Sequence, residues 1–217
     1  MPAERSEAHT TALPRRVPTQ ARSRHRVERV LDSAARLVVR RGVASLSTRE
    51  IAAGAGMPVA SLYQYFSDKD DVLLALAQRD MDEMDAQVLE DLAAVPQLTV
   101  ASLVRTVMTA FVSVYHRRRA FVEIYLRGRS NAAIRQFGRE HNQQIATTML
   151  DYAREEGLAT PALTPQMAVL AVEVGDRVFQ LAFEDDDEGD PLLIEEGIVL
   201  VTAYLERYAT PAGLGHP

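Results

Sequence analysis

Ser47 to Leu73 reads STREIAAGAGMPVASLYQYFSDKDDVL. The stretch predicts two short helices joined by a glycine-containing turn and followed at once by a third, which is a helix-turn-helix and implies the major groove of DNA as ligand. Ser47 and Glu50 have the S-x-x-E spacing of a capping box, so a helix begins near Thr48 with Ile51, Ala52 and Ala55 on one face. Gly54 and Gly56 bracket the change of direction at Ala55 to Met57. Pro58 suits the first turn of the next helix, from which Val59, Leu62 and Phe66 can pack inward. Ala60, Ser61, Tyr63, Gln64 and Tyr65 then face out. Small residues at 60 and 61 let the backbone approach base edges, Gln64 offers an amide matched to adenine, and tyrosine hydroxyls can donate to phosphate. Ser67 or Asp68 starts a further long helix.

Residues 48 to 73 resemble the DNA-binding signature of the tetracycline-repressor (TetR) family of bacterial regulators. The matching positions are Thr48, Ile51-Ala52, Ala55-Gly56, Leu62-Tyr63, Tyr65-Phe66 and Lys69, with every gap length kept. Arg49, Pro58, Ala60 and Tyr65 depart from the usual pattern without breaking the motif; Pro58 removes a hydroxyl that in relatives often caps the recognition helix. The motif resemblance spans about residues 25 to 73. It implies a dimeric, all-α regulator with a palindromic double-stranded DNA operator and a small-molecule effector, and DNA contacts from Thr48, Arg49, Val59, Ala60, Ser61, Tyr63, Gln64, Tyr65 and Lys69.

Charge is unevenly divided. Residues 1–66 hold eleven arginines against five acidic residues, net +6, so the remainder must carry −12 to give the chain's −6. A basic end on an acidic body suits a protein of which one region meets phosphate. Lys69 is the sole lysine. The chain has 217 residues and no cysteine, which excludes disulfides and cysteine zinc sites. No apolar run approaches a bilayer span, the N-terminus lacks the apolar core of a signal peptide, and the expected location is the cytoplasm, on the nucleoid.

The expected organisation is a disordered arm over residues 1–20, a DNA-binding domain over 21–67, an effector-binding and dimerisation domain over 68–210, and a disordered tail over 211–217. The arm's Arg15 and Arg16, with Arg22, Arg24 and Arg26, read either as a minor-groove reader or as a tail trailing near phosphates. Helical periodicity runs over residues 22–41, 68–94, 99–117, 119–127, 131–156, 165–183 and 191–208, with an exposed acidic loop at 184–190. Strand alternation is absent, which gives an all-α class with about nine helices.

The last two helices are apolar nearly all round and must be covered on most sides, which suggests pairing across a twofold axis. Val169, Val172, Glu173, Asp176, Arg177, Ile198, Val201, Tyr204 and Leu205 are the expected interface, with Glu173 and Arg177, an i, i+4 pair, and Asp176 as its polar component, ligand binding by these three being the other reading. Met108, Phe111, Tyr115, Phe121, Tyr125, Met149, Tyr152 and Phe179 concentrate bulky side chains in the middle helices, as ordinary core or as the lining of an effector cavity. His116 with Arg117, Arg118 and Arg119 reads as a helix terminus stabilised by the helix dipole, or as an anion site.

No enzyme is expected. The five histidines form no E-x-x-H or H-E-x-x-H pair and no glycine-rich phosphate loop is present, so no catalytic residue, metal ligand or cofactor is assigned. The competing function is a helical ligand-binding or protein-interaction module without DNA binding.

Overall fold

A computed structural model describes residues 21–128 and 131–216; the expected N-terminal arm lies outside the described residues. The described chain is all-α: α1 (Ala21–Arg41), α2 (Thr48–Gly54), α3 (Val59–Leu62), α4 (Lys69–Ala93), α5 (Val100–Arg117), α6 (Arg119–Phe121), α7 (Ala132–Glu155), α8 (Pro165–Ala182) and α9 (Pro191–Glu206). Local chemistry sets most of these boundaries. Asp68 accepts from Asp71 N at 2.9 Å to start α4, Thr99 and Ser102 bond reciprocally at the head of α5, and Asn131 caps α7. Thr164 and Asp190 cap α8 and α9, each followed by a proline at the first helical position.

Helix α1 buries Val30, Leu31, Ala34, Leu37 and Val38 against α2 and α4. Helix α4 then runs out of this small domain into the body, where it packs most extensively on α5. Helices α7, α8 and α9 complete the body. Gly197 lets α9 approach α8, since a Cβ there would overlap Val178.

Two expectations fail here. The single helix expected over 119–127 is one α-turn followed by a π-helical turn, Val122–Leu126, closed by Arg127 N to Val122 O at 3.0 Å. Phe121, Val122, Ile124 and Leu126 are all buried, more than one 3.6-residue stripe can present to a single neighbour. The tail expected to be disordered from 211 instead forms a 3₁₀ turn, Ala212–Leu214. Thr210 donates to Gly157 O at 2.6 Å and accepts from Gly213 N at 3.0 Å, and Gly213 is buried where a Cβ would overlap the Leu158 carbonyl.

Ser33 ties α1 to α2. Its buried hydroxyl donates to Ile51 O at 2.9 Å and occupies the space a Cβ on Gly54 would need. Gly54→Ala should therefore destabilise the chain by about 1–3 kcal/mol in chemical denaturation, and Ser33→Ala in the same chain should recover part of that loss. A Gly54→Ala variant as stable as the parent would show that this contact imposes no constraint.

Candidate nucleic-acid interface and helical-body cavity

The turn between α2 and α3 is built by backbone geometry and clamped by α1. Gly56 takes φ 65°, Met57 N donates to Ala52 O and Gly56 N to Ala53 O, both at 3.0 Å, the paired bonds of a Schellman ending. Arg29 donates to the carbonyls of Ala55 and Gly56, occupying the side of Gly56 where a Cβ would stand. Ser47 Oγ accepts from Glu50 N at 3.3 Å and donates to its Oε2 at 2.7 Å. The Glu50 carboxyl is held below its ordinary range by that serine bond and by Arg41, 2.6 Å away.

This frame sets the exposure of the expected DNA contacts. Leu62 and Phe66 are buried, whereas Val59, expected to pack inward, is 37% exposed. Arg49, Ala60, Tyr63 and Gln64 are exposed beside it; Thr48, Ser61, Tyr65 and Lys69 are half-buried. Thr48 Oγ1 and the Tyr63 hydroxyl lie 3.0 Å apart, joining the start of α2 to the end of α3. The Tyr65 hydroxyl bonds Ser23 and Arg26 of α1, which lowers its pKa and gives it a bracing contact within the domain. Arg22, Arg24 and Arg26 are exposed near the start of α1. An outward patch of small, amide and hydroxyl groups flanked by arginines has the chemistry to meet base edges and phosphates together.

Helices α5, α7, α8 and α9, with Ala159 and Leu163 between α7 and α8, line a partly open cavity of about 130 Å³. Of the expected effector residues, Met108, Phe111, Met149 and Phe179 line it; Tyr115, Phe121, Tyr125 and Tyr152 do not. Tyr115 and Phe121 are fully buried in an aromatic stack with Phe179 and Phe183, their bulk filling the core beside the cavity. Tyr125 packs over Gly138, whose missing Cβ makes room for the ring.

The expected interface divides. Ile198 and Val201 are 4% and 7% exposed, used by the protomer's own core, and Val172, Asp176, Val201 and Leu205 line the cavity. Val169 packs with Val172 against a second small cluster, while Tyr204 leans on Tyr208. Glu173 accepts from Asn142 Nδ2 at 3.3 Å rather than pairing with Arg177, which bonds Gln180 Oε1 at 3.0 Å. The outward large apolar positions are Leu170 and Leu181 on α8 and Leu192, Leu193, Val199 and Leu200 on α9.

Asn142, absent from the expected sites, was signalled by pattern: it is the one polar residue on the buried stripe Ile134, Gly138, Asn142, Ala146, Leu150 of α7. Asp176 accepts from Gln180 Nε2 at 2.7 Å and from Tyr125 and Asn142. Burial pushes its pKa up to about 6, outweighing these bonds. The Arg cluster expected at a helix terminus sits at the end of α5, where Arg117 and Arg118 reach Glu83 and Arg119 reaches Glu188. Among the described residues no group of three or more His, Asp or Glu is arranged to hold a metal, and no helix is long and apolar enough to cross a membrane.

Residues 30–76 match the family model described as bacterial regulatory proteins, tetR family, and residues 99–205 the one described as tetracyclin repressor-like, C-terminal domain. Among solved structures, a TetR-family transcriptional regulator from Streptomyces coelicolor is 28% identical, with 84% of this chain and 99% of that chain covered at a TM-score of 0.69. A putative TetR-family regulator from Syntrophomonas wolfei, 17% identical, shares the fold at a TM-score of 0.65 over 85% of this chain and 94% of its own. A transcriptional regulator from Rhodococcus sp. RHA1, 18% identical, does so at 0.64 over 84% and 97%. No curated protein matches the chain.

Asp176 yields a pH signature. Its folded pKa, about 6, lies above the ordinary 3.8, so its contribution favours the fold below about pH 4 and is lost as pH rises through 6. Asp176→Asn has no proton to lose. Its stability relative to the parent should rise by about 1–3 kcal/mol between pH 4.5 and 7.5 in urea denaturation; a difference independent of pH would contradict the assignment.

Proposed function

The chain belongs to the TetR family of bacterial regulatory proteins, and from that premise we propose that it acts as a dimeric repressor released from a palindromic operator by a small molecule held in the helical body. The family gives a transcriptional regulator with a helix-turn-helix DNA-binding domain. The observation that carries the finer reading is the continuity of α4, which starts three residues after Phe66 of the reader and at Asp85, Val88 and Leu89 passes beside residues that also line the cavity.

Val107, Phe111, Ile145 and Met149 line the cavity on one side and, on the other, a cleft that also includes Asp85, Val88 and Leu89 of α4. One layer of side chains thus separates a bound molecule from α4. With 25 residues α4 is about 37 Å long, so a tilt at its far half moves the reader. Two readers must sit about 34–36 Å apart to enter successive major grooves, which makes operator affinity sensitive to that tilt. A thousandfold loss requires about 4 kcal/mol of preference of the ligand for the released state.

The exposed apolar row of α8 and α9 supports dimerisation. Leu170 and Leu200 are 52% and 53% exposed, and a twofold pairing would cover each with the same surface of a second copy. Leu200→Glu should leave the protomer folded, shift it to monomer in analytical ultracentrifugation, and weaken operator binding at least a hundredfold. A Leu200→Glu chain that remains dimeric would remove this surface from the interface.

Base reading and phosphate binding should separate. Gln64→Ala should relax preference at particular base pairs in a selection on random DNA, while Lys69→Ala and Tyr63→Phe weaken all sequences alike, Lys69→Ala lowering the salt slope by about 1. Unchanged base preference after Gln64→Ala would eliminate it as a reader, and no saturable binding to any upstream DNA would favour the module without DNA affinity.

A further inference from the structure

The cavity wall is chemically one-sided. Among the described residues, Asn142 and Asp176 are the only polar side chains that line it, and no arginine, lysine or histidine does. Glu173 stands directly behind Asn142, bonded to its amide at 3.3 Å. The groups bonded to Asp176 are all neutral: the Tyr125 hydroxyl and the amides of Gln180 and Asn142. Arg177, next in sequence, is spent on Gln180 and faces out. The polar end of an otherwise apolar pocket therefore carries one carboxylate, Asp176, with a second, Glu173, held behind the Asn142 amide, and no cation among the described residues lines it.

Hydrogen-bond capacity points the same way. The Asn142 amide donates to Glu173 and to Asp176, which leaves its carbonyl oxygen as an acceptor. Asp176 retains acceptor lone pairs beyond its present donors. What the polar end lacks is a donor and a positive charge. Gly175, beside Asp176, has no atom within 4 Å of the place a Cβ would take, so open space adjoins the carboxylate.

Resting on the reading that this cavity holds the effector, we propose that it selects an apolar molecule carrying a protonated amine, with the nitrogen held by Asp176 and Asn142, and rejects carboxylate or phosphate on the same skeleton. A cavity of about 130 Å³ is close to that known to enclose benzene, so a single ring fills it and a short arm carries the head group to Asp176 at its edge. A cation there meets its counter-charge in a site of low dielectric, where the pairing is far less screened than in water. An anion meets two like charges and no compensating donor beyond the amides already engaged.

Three probes with one ring and one arm length separate the head group from the body: 2-phenylethylamine, 2-phenylethanol and phenylacetate, titrated calorimetrically into the full chain at pH 7.5. The amine should bind at least tenfold more tightly than the alcohol, with phenylacetate undetectable. Asp176→Asn should remove the preference for the amine over the alcohol, and Gly175→Leu, which fills the open space, should abolish both. If the alcohol binds, is lost in Gly175→Leu and is matched by the amine or phenylacetate, amine selection is overturned and the effector cavity stands. If none of the three binds, both fail. The comparison of amine with alcohol on the unaltered chain decides the matter even if Asp176→Asn does not fold.

Discussion

Helix α4 belongs to two cores at once, and the arrangement of everything else follows from that. Its first turns bury Val72, Leu73, Leu76 and Ala77 with α1 in the reader, and its later turns bury Met84, Val88 and Leu92 with α5 in the body. The junction is held by charge as well as packing. Arg79 reaches Glu28 at 3.1 Å and Asp32 at 2.8 Å on α1, while the buried Asp80 lies 3.3 Å from Arg79 and 3.7 Å from Arg118 at the end of α5. Burial pushes the Asp80 carboxyl up to about 6 despite these arginines, so the joint orients the helices at a cost rather than adding stability. Neither domain can rotate without carrying α4 along.

The reader was legible in the sequence because every signal in it is local. Ser47 with Glu50, Gly56, and Asp68 act within four residues of themselves, so spacing alone fixes the turn and the starts of α2, α3 and α4 to within a residue or two, while α3 itself stops at Leu62, short of Phe66. Periodicity located the body's long helices equally well, but it missed the π-helical turn at Val122–Leu126 and did not orient α8 and α9. A helix that is apolar nearly all round has no single stripe from which to read its inner face. The i, i+4 spacing of Glu173 and Arg177 suggests a polar pair within a dimer interface, yet the partner of Glu173 comes from α7, 31 residues away, and Asp176 is met by Tyr125 from the π-helical turn. Tertiary partners of this kind leave no trace in local spacing. The same holds for the segment after Thr210, which is ordered by the carbonyls of Gly157 and Leu158 across the fold.

The cavity is a cost the fold carries. Ala146, Ala168, Ala171 and Gly175 line it where larger side chains would pack, and unfilled apolar space forfeits roughly 24 cal/mol per Å³. At about 130 Å³ that comes to about 3 kcal/mol, before the expense of Asp176 at its edge. Space and desolvated charge occur at the same place, so a molecule that fills the one and neutralises the other relieves both costs together.

That coincidence bears on how a small ligand could move a large helix. A guest that only occupied the existing void would bind both states equally and shift nothing. The wall toward α4 is made of Val107, Phe111, Ile145 and Met149, among which methionine and phenylalanine can swing between rotamers without loss of contact. A guest slightly larger than the void must displace this layer, and close packing beyond it leaves α4 as the element free to yield. On the proposed reading the polar end would hold the ligand alike in both states, and the difference between them would arise at the apolar end, where the ligand presses on the layer toward α4.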